Sequence, residues 1–147
     1  MPLMKSQPRW VVTLIWGALM FSVVTYAVLA HLLEPAENPD PTLIKILPII
    51  GGAAVAISIL LRKFLLLPLR QLSAEQVAGP AASKYLTRHV ISYALAESCG
   101  VLALVFRLSG GPLQTAQSML LAALIALVLM KPVAPAIASG RDSTFPR

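Results

Sequence analysis

Glu97 is the residue whose type and setting most clearly carry chemistry. It lies in YALAESCGVLALVF, Tyr93 to Phe106, among apolar and small side chains, nine residues after Arg88 and ten before Arg107. Two cations at that spacing mark the ends of a helix crossing a bilayer, because their charged heads settle at the headgroups, and they leave the carboxyl near mid-depth. An acid there costs about 2.5–3.5 kcal/mol, whereas the Leu, Ile, Val and Phe residues of 86–108 return roughly 0.3–0.6 kcal/mol each. There are ten of them. Insertion is favourable by a narrow margin, and the carboxyl is expected to face protein and to be held neutral or paired.

Two roles suit such a group. Reversible binding of a proton or a cation inside a membrane requires a carboxyl in a narrow polar layer. Alternatively, the neutral acid fastens two helices or docks the chain onto another subunit as a non-catalytic accessory or scaffold, a contribution of about 0.6–2 kcal/mol. Centring each apolar segment in the membrane brings Phe21 and Ser22, Gly51 and Gly52, and Ala122 and Ala123 to the depth of Glu97. Gly51-Gly52-Ala53-Ala54, continued by Ala56 and Ser58, would let another backbone approach closely. The sequence therefore predicts Glu97 against Gly51 and Gly52, its carboxyl donating to a backbone carbonyl or to Ser22, with Tyr93 one turn before it on the same helix. The candidate proton- or cation-binding set is Glu97, Ser22, Gly51, Gly52 and Tyr93.

The elements that must position these residues follow from composition and hydropathy. Of 147 residues, 57% are hydrophobic and 12% charged, against roughly 45–50% and 25% in soluble domains. Four apolar segments, about 10–33, 43–61, 86–108 and 113–130, each offer a crossing. The expected fold is all-α: an integral membrane bundle of four transmembrane helices in a single domain over 1–131, followed by a flexible cytoplasmic tail at 132–147. The first segment is longer than the core of a signal peptide, so a retained helix is preferred to cleavage near Val28-Leu29-Ala30. EPAENPDPT, Glu34 to Thr42, ends the first helix and stays in water. SGGP, Ser109 to Pro112, stops the third helix, and Gln114, Gln117 and Ser118 are expected to cap the fourth. Phe64 to Leu69 reads as a helix continuation along the interface.

Charge sets the orientation. Lys5, Arg9, Arg62, Lys63, Arg70, Lys84, Arg88, Lys131, Arg141 and Arg147 fall on one side, and only Lys45 and Arg107 on the other. Both termini and the 62–85 connection are therefore expected in the cytoplasm, with the chain in the cell membrane. The net charge of +6 is then topological rather than a sign of nucleic-acid binding. Arg62, Lys63, Arg70, Lys84 and Arg88 are candidates for anionic lipid headgroups, and Glu34, Glu37 and Asp40 for neutralising Lys45 and Arg107. Trp10, Trp16 and Tyr85 read as interfacial anchors. His31 and His89 fall at opposite membrane faces and cannot share the depth that two axial haem ligands need. Cys99 is a lone packing residue, and no nucleophile–base pair, phosphate loop or metal cluster stands out. The expectation is a protein without catalysis or cofactor, whose partners are the lipid bilayer and further membrane subunits, its own copies or others.

Residues 43–108 resemble the hairpin of rotary ATP synthase subunit c. The matching pieces are Gly51-Gly52-Ala53-Ala54, Arg70-Gln71 in the polar connection, and Ala94-Leu95-Ala96-Glu97 followed by Gly100-Val101 and Leu104-Val105. The resemblance implies that Glu97 is an ion-carrying carboxylate and that the chain belongs to a membrane-embedded oligomer. It does not extend to the first and fourth segments, which have no counterpart in the two-helix form.

Overall fold

The computed structural model describes residues 7–66 and 80–132. Among these residues there are four helices: α1 (Gln7–Leu32), α2 (Pro41–Leu66), α3 (Pro80–Leu108) and α4 (Leu113–Leu129). Three of them contain stretches long and apolar enough to cross a membrane, Trp10–Leu32, Pro41–Phe64 and Leu86–Leu108, and α4 is a shorter apolar helix. Arg70 and the expected tail beyond Pro132 lie outside the described residues.

Two helices run past the apolar segments that announce them. α2 continues to Leu66 rather than stopping near 61, because Arg62 and Lys63 are good helix formers whose charge suits a helix C-terminus. α3 opens at Pro80, six residues before its apolar stretch, with proline at the first helical position where its missing N–H costs nothing. The two ends of the polar 62–85 connection, 62–66 and 80–85, are therefore helix. The opening of α2 is built the same way: Asp40 Oδ1 accepts the N–H of Thr42 at 2.8 Å and of Leu43 at 3.4 Å, with Pro41 as the first helical residue. Asp40 thus serves as a cap.

The turn between α3 and α4 depends on its glycines. Gly110 has φ +91°, and a side chain there would also meet Pro39 of the α1–α2 connector. A Cβ on Gly111 would run into the Phe106 ring. The connector closes over this turn, with the Ala36 N–H donating to the Leu108 carbonyl at 3.0 Å. The start of α4 differs from expectation. Pro112 takes the N-cap position without a side-chain cap, Ser118 donates to the Thr115 carbonyl at 2.7 Å, and Gln117 reaches His31 of α1.

α3 packs against all three other helices and α4 against α1 and α2, so α1 and α2 flank opposite sides of a central α3–α4 pair. Burial follows this plan: 44% of the most apolar window of α3 is buried, against 11% in α1 and 22% in α2. The interior holds many small side chains, including Ala96, Cys99, Ala103, Ala116, Ala123 and Ala126, beside the larger Tyr93, Phe106, Leu127 and Met130. Large apolar side chains face outward instead; Phe21 is 74% exposed, and Ile49 and Phe64 are each 71% exposed. A small-residue interior under a large apolar exterior is how helices pack when their surroundings are as oily as their core.

The turn yields a paired expectation. Gly111→Ala lowers the thermal midpoint of the detergent-purified protein by the equivalent of about 1–3 kcal/mol through overpacking. Gly52→Ala, at an exposed position within α2 with nothing within 4 Å of the added methyl, does not lower the midpoint and raises it by the equivalent of up to about 1 kcal/mol, because alanine is the better helix former.

Candidate functional site

Glu97 lies on the flank of α3 that faces α1, half-buried, and its Oε1 accepts a hydrogen bond from the Tyr26 hydroxyl at 2.8 Å. The register of the two helices explains the pairing. Gly100 sits against Val23, and Arg107 donates to the Ala30 carbonyl at 3.3 Å; both pairs are 77 residues apart, so α1 and α3 run parallel in a constant offset. That offset sets Glu97 level with Met20. Tyr26, six residues further on, reaches back along α1 toward its N-terminus, as helical side chains do. Its ring passes over Gly100, where an added Cβ would stand 3.3 Å from Tyr26 Cδ2 and 3.3 Å from Val23 Cγ2. Gly100 is therefore the seat of the phenol that holds Glu97.

Ser22, one turn before Tyr26 on α1, is brought to the same seam and lies within reach of the phenol, while its own hydroxyl donates to the Ala18 carbonyl at 3.2 Å. On α3, the Ser98 hydroxyl donates to the Leu95 carbonyl at 2.7 Å. These hydroxyl protons are spent on their own helices.

The remaining members of the expected set lie elsewhere. A Cβ on Gly51 would meet Met119 Cε at 2.8 Å and Cys99 Sγ at 3.2 Å, so this glycine admits α3 and α4 at the position of Cys99 rather than Glu97. Gly52 is exposed. The reason is angular: Cys99 is two residues from Glu97, about 200° around the helix, and α1 and α2 lie on opposite flanks of the α3–α4 pair. A residue facing α1 cannot also face the glycines of α2. Cys99 itself is buried, its thiol 3.5 Å from the Met119 carbonyl. Tyr93 is buried and donates from its hydroxyl to the Met130 carbonyl at 3.1 Å, its ring edge-on to His89 at 5.8 Å. It serves the end of α4 and not the carboxylate.

That end is a second polar assembly. Trp16 Nε1 donates to the Leu127 carbonyl at 2.8 Å, and Arg62 donates to the Leu129 carbonyl and, at 3.2 Å, to that of Lys131. With Tyr93, each of the other three helices sends one side chain to the C-terminal carbonyls of α4. Trp16 and Arg62, expected at interfaces and on lipid headgroups, are thus directed into the bundle. Among the other headgroup candidates, Lys63 is exposed and Arg88 half-buried, while Lys84 falls in the opening turns of α3. At the opposite end, Arg107 also donates to the Gly111 carbonyl at 3.2 Å, closing the turn that follows it.

Tyr26 is the site residue that sequence reasoning overlooked. The available signal is a phenol well inside an apolar segment, one turn from Ser22. Among the described residues, no three His, Cys, Asp or Glu side chains group as metal ligands. No family model, curated protein or solved structure matches the chain.

Two substitutions check these assignments. Tyr26→Phe removes the hydroxyl and lowers stability by about 0.6–1.7 kcal/mol, the range for hydrogen bonds between membrane helices, read as a drop in thermal midpoint. Arg62→Ala destabilises by about 1–3 kcal/mol because carbonyls at a helix end lose a charged donor, whereas Lys63→Ala, its exposed neighbour, leaves the midpoint in place.

Proposed function

We propose that the chain is a small four-helix integral membrane protein, with both ends cytoplasmic, in which Glu97 takes up and releases a proton near mid-depth. The Tyr26–Glu97 hydrogen bond of 2.8 Å carries this reading. A phenol can donate to a carboxylate and can accept from a carboxylic acid, so the same pair offers a partner in both protonation states. Neither state leaves the carboxyl without a hydrogen bond in a medium where an unpaired polar group is expensive. A proton suits the seam better than a metal cation, which takes about six or more oxygen ligands in a hard-ion site. Here one carboxylate and one phenol converge, short of such a shell even with the oxygen of Ser22 added.

The fourth crossing belongs to the same proposal. α4 has 17 residues, about 25 Å of helix against a hydrocarbon core of roughly 30 Å. Its last carbonyls would fall within the apolar layer, where each unsatisfied group costs several kcal/mol. Trp16, Arg62 and Tyr93 supply donors at that point. The likeness of residues 43–108 to a subunit c hairpin supports the choice of Glu97 as the ion-carrying group. In this chain, however, its partner comes from α1, outside the hairpin.

A second reading, an accessory subunit in which Glu97 is structural, draws on one observation. The seam opens at the flank of the bundle, where Ala18 and Ala94 are exposed beside the half-buried Glu97 and leave room for a neighbouring helix.

Glu97→Gln separates the two readings, because glutamine still accepts from Tyr26 but cannot exchange a proton at neutral pH. In proteoliposomes, the wild type is expected to take up protons down an imposed gradient and to react with a hydrophobic carbodiimide at Glu97. The variant, equally stable, does neither. Wild-type protein that is inert in both assays, with the variant altering only which proteins co-purify, would favour the accessory role.

A further inference from the structure

A groove of about 300 Å³ runs between α1 and α4 on the side of α1 away from Ser22, lined by Val23, Val24, Ala27, Leu120, Leu121 and Leu124. His31 and Gln117 close its end, Gln117 Nε2 lying 3.0 Å from His31 Nε2. Its walls are apolar throughout and its polar groups gather at one mouth. This is the form of a site for an amphiphile.

Size and depth define the apolar part of the ligand. The volume is twice the roughly 150 Å³ that accommodates one benzene in an apolar cavity, which allows about a dozen carbon atoms. From His31 down to Val23 is eight residues, about 12 Å along the helix, most of one leaflet of a hydrocarbon core about 30 Å thick. Both measures correspond to a single alkyl chain entering from one face. Two chains side by side would not fit.

The mouth defines the head. When the Gln117 amide donates to His31 Nε2, the imidazole carries its proton on Nδ1 and the Gln117 carbonyl keeps its lone pairs, so the pair presents two donors, His31 Nδ1–H and the second Gln117 N–H, and one acceptor. The surrounding charge is acidic: Glu34 and Glu37 follow His31 in the exposed connector. Of the two basic residues at this end, Arg107 is directed to the Ala30 and Gly111 carbonyls. Lys45 stands on α2, across the α3–α4 pair. A net-anionic head would be repelled here, whereas an ammonium would meet the carboxamide oxygen and the two acids.

We propose that the α1–α4 groove seats one acyl chain of a phospholipid with a zwitterionic, amine-bearing head, its phosphate facing His31 Nδ1–H and its ammonium facing Gln117 and the acidic connector. The site rests on the membrane reading of the chain but not on any role of Glu97.

The test is lipid retention by the full chain in detergent, read by native mass spectrometry. The protein is incubated with equal amounts of phosphatidylethanolamine and phosphatidylglycerol of identical chains. One phosphatidylethanolamine per chain is expected to remain, favoured about tenfold over phosphatidylglycerol, equivalent to about 1.4 kcal/mol. Ala27→Phe and Leu121→Trp fill the groove from opposite walls, and either one that keeps wild-type helix content by circular dichroism reduces retention about tenfold. His31→Ala combined with Gln117→Ala abolishes the preference between heads while a chain still binds. Glu97→Gln retains lipid as the wild type does, whatever becomes of its proton uptake. Folded groove-filled variants that retain phosphatidylethanolamine normally overturn the site. Equal retention of the two lipids by the wild type overturns the head assignment. Groove filling that dissociates a dimer without releasing lipid shows that a second copy occupies the groove and overturns the proposal.

Discussion

The C-terminal carbonyls of α4 impose the strictest demand on this bundle. A helix leaves its last four carbonyls without intrahelical donors, and α4 ends after 17 residues among side chains that are almost all apolar. The N–H groups of Met130 and Lys131 serve the Ala126, Leu127 and Val128 carbonyls, and further donors come from the other helices: the Trp16 indole from α1 to Leu127, the Arg62 guanidinium from α2 to Leu129 and Lys131, and the Tyr93 phenol from α3 to Met130. Each is long, and each belongs to a different neighbour, so one helix end is tied to all the others. The positive charge of Arg62 also suits the negative end of the helix dipole. Small side chains through the rest of the interior then let the helices close around this point.

The seam between α1 and α3 follows from that arrangement. Gly100 lets Val23 and Tyr26 approach α3, and the parallel register carries the Tyr26 hydroxyl back to Glu97. The opposite flank of α3 is occupied by α2 through Gly51, Cys99 and Met119. The two glycine contacts of the central helix thus have separate uses: Gly100 admits an aromatic ring, and Gly51 admits the side chains of Cys99 and Met119. Only the first bears on the carboxylate. Glu97 is left half-buried, with one phenol partner and one face toward the edge of the bundle.

Much of this was legible in the chain. The hydropathy pattern identified four helices, and the placement of Arg88 and Arg107 located Glu97 within α3. Counting residues from each end puts Ser22 near the level of Glu97, and the structure brings it to the seam beside Tyr26. What depth cannot give is azimuth. Gly51 and Gly52 are at a suitable level, yet a helix places successive residues about 100° apart, and nothing in the order of the residues tells which neighbour lies at which angle. Trp16 and Arg62 illustrate the same limit, since their types suit an interface equally well whether they point toward lipid or toward a carbonyl of α4.

The sequence by itself determined the number of helices, their apolar character, the stops at EPAENPDPT and SGGP, and the single carboxyl within α3, because these depend on composition and on periodicity along one chain. The tertiary structure alone decided that α1 and α2 flank opposite sides of α3 and α4, that Tyr26 rather than a glycine pair meets Glu97, and that three helices converge on the end of the fourth. Those outcomes are set by which small residues let which helices approach, and by where buried carbonyls find donors. Both are properties of all four helices together.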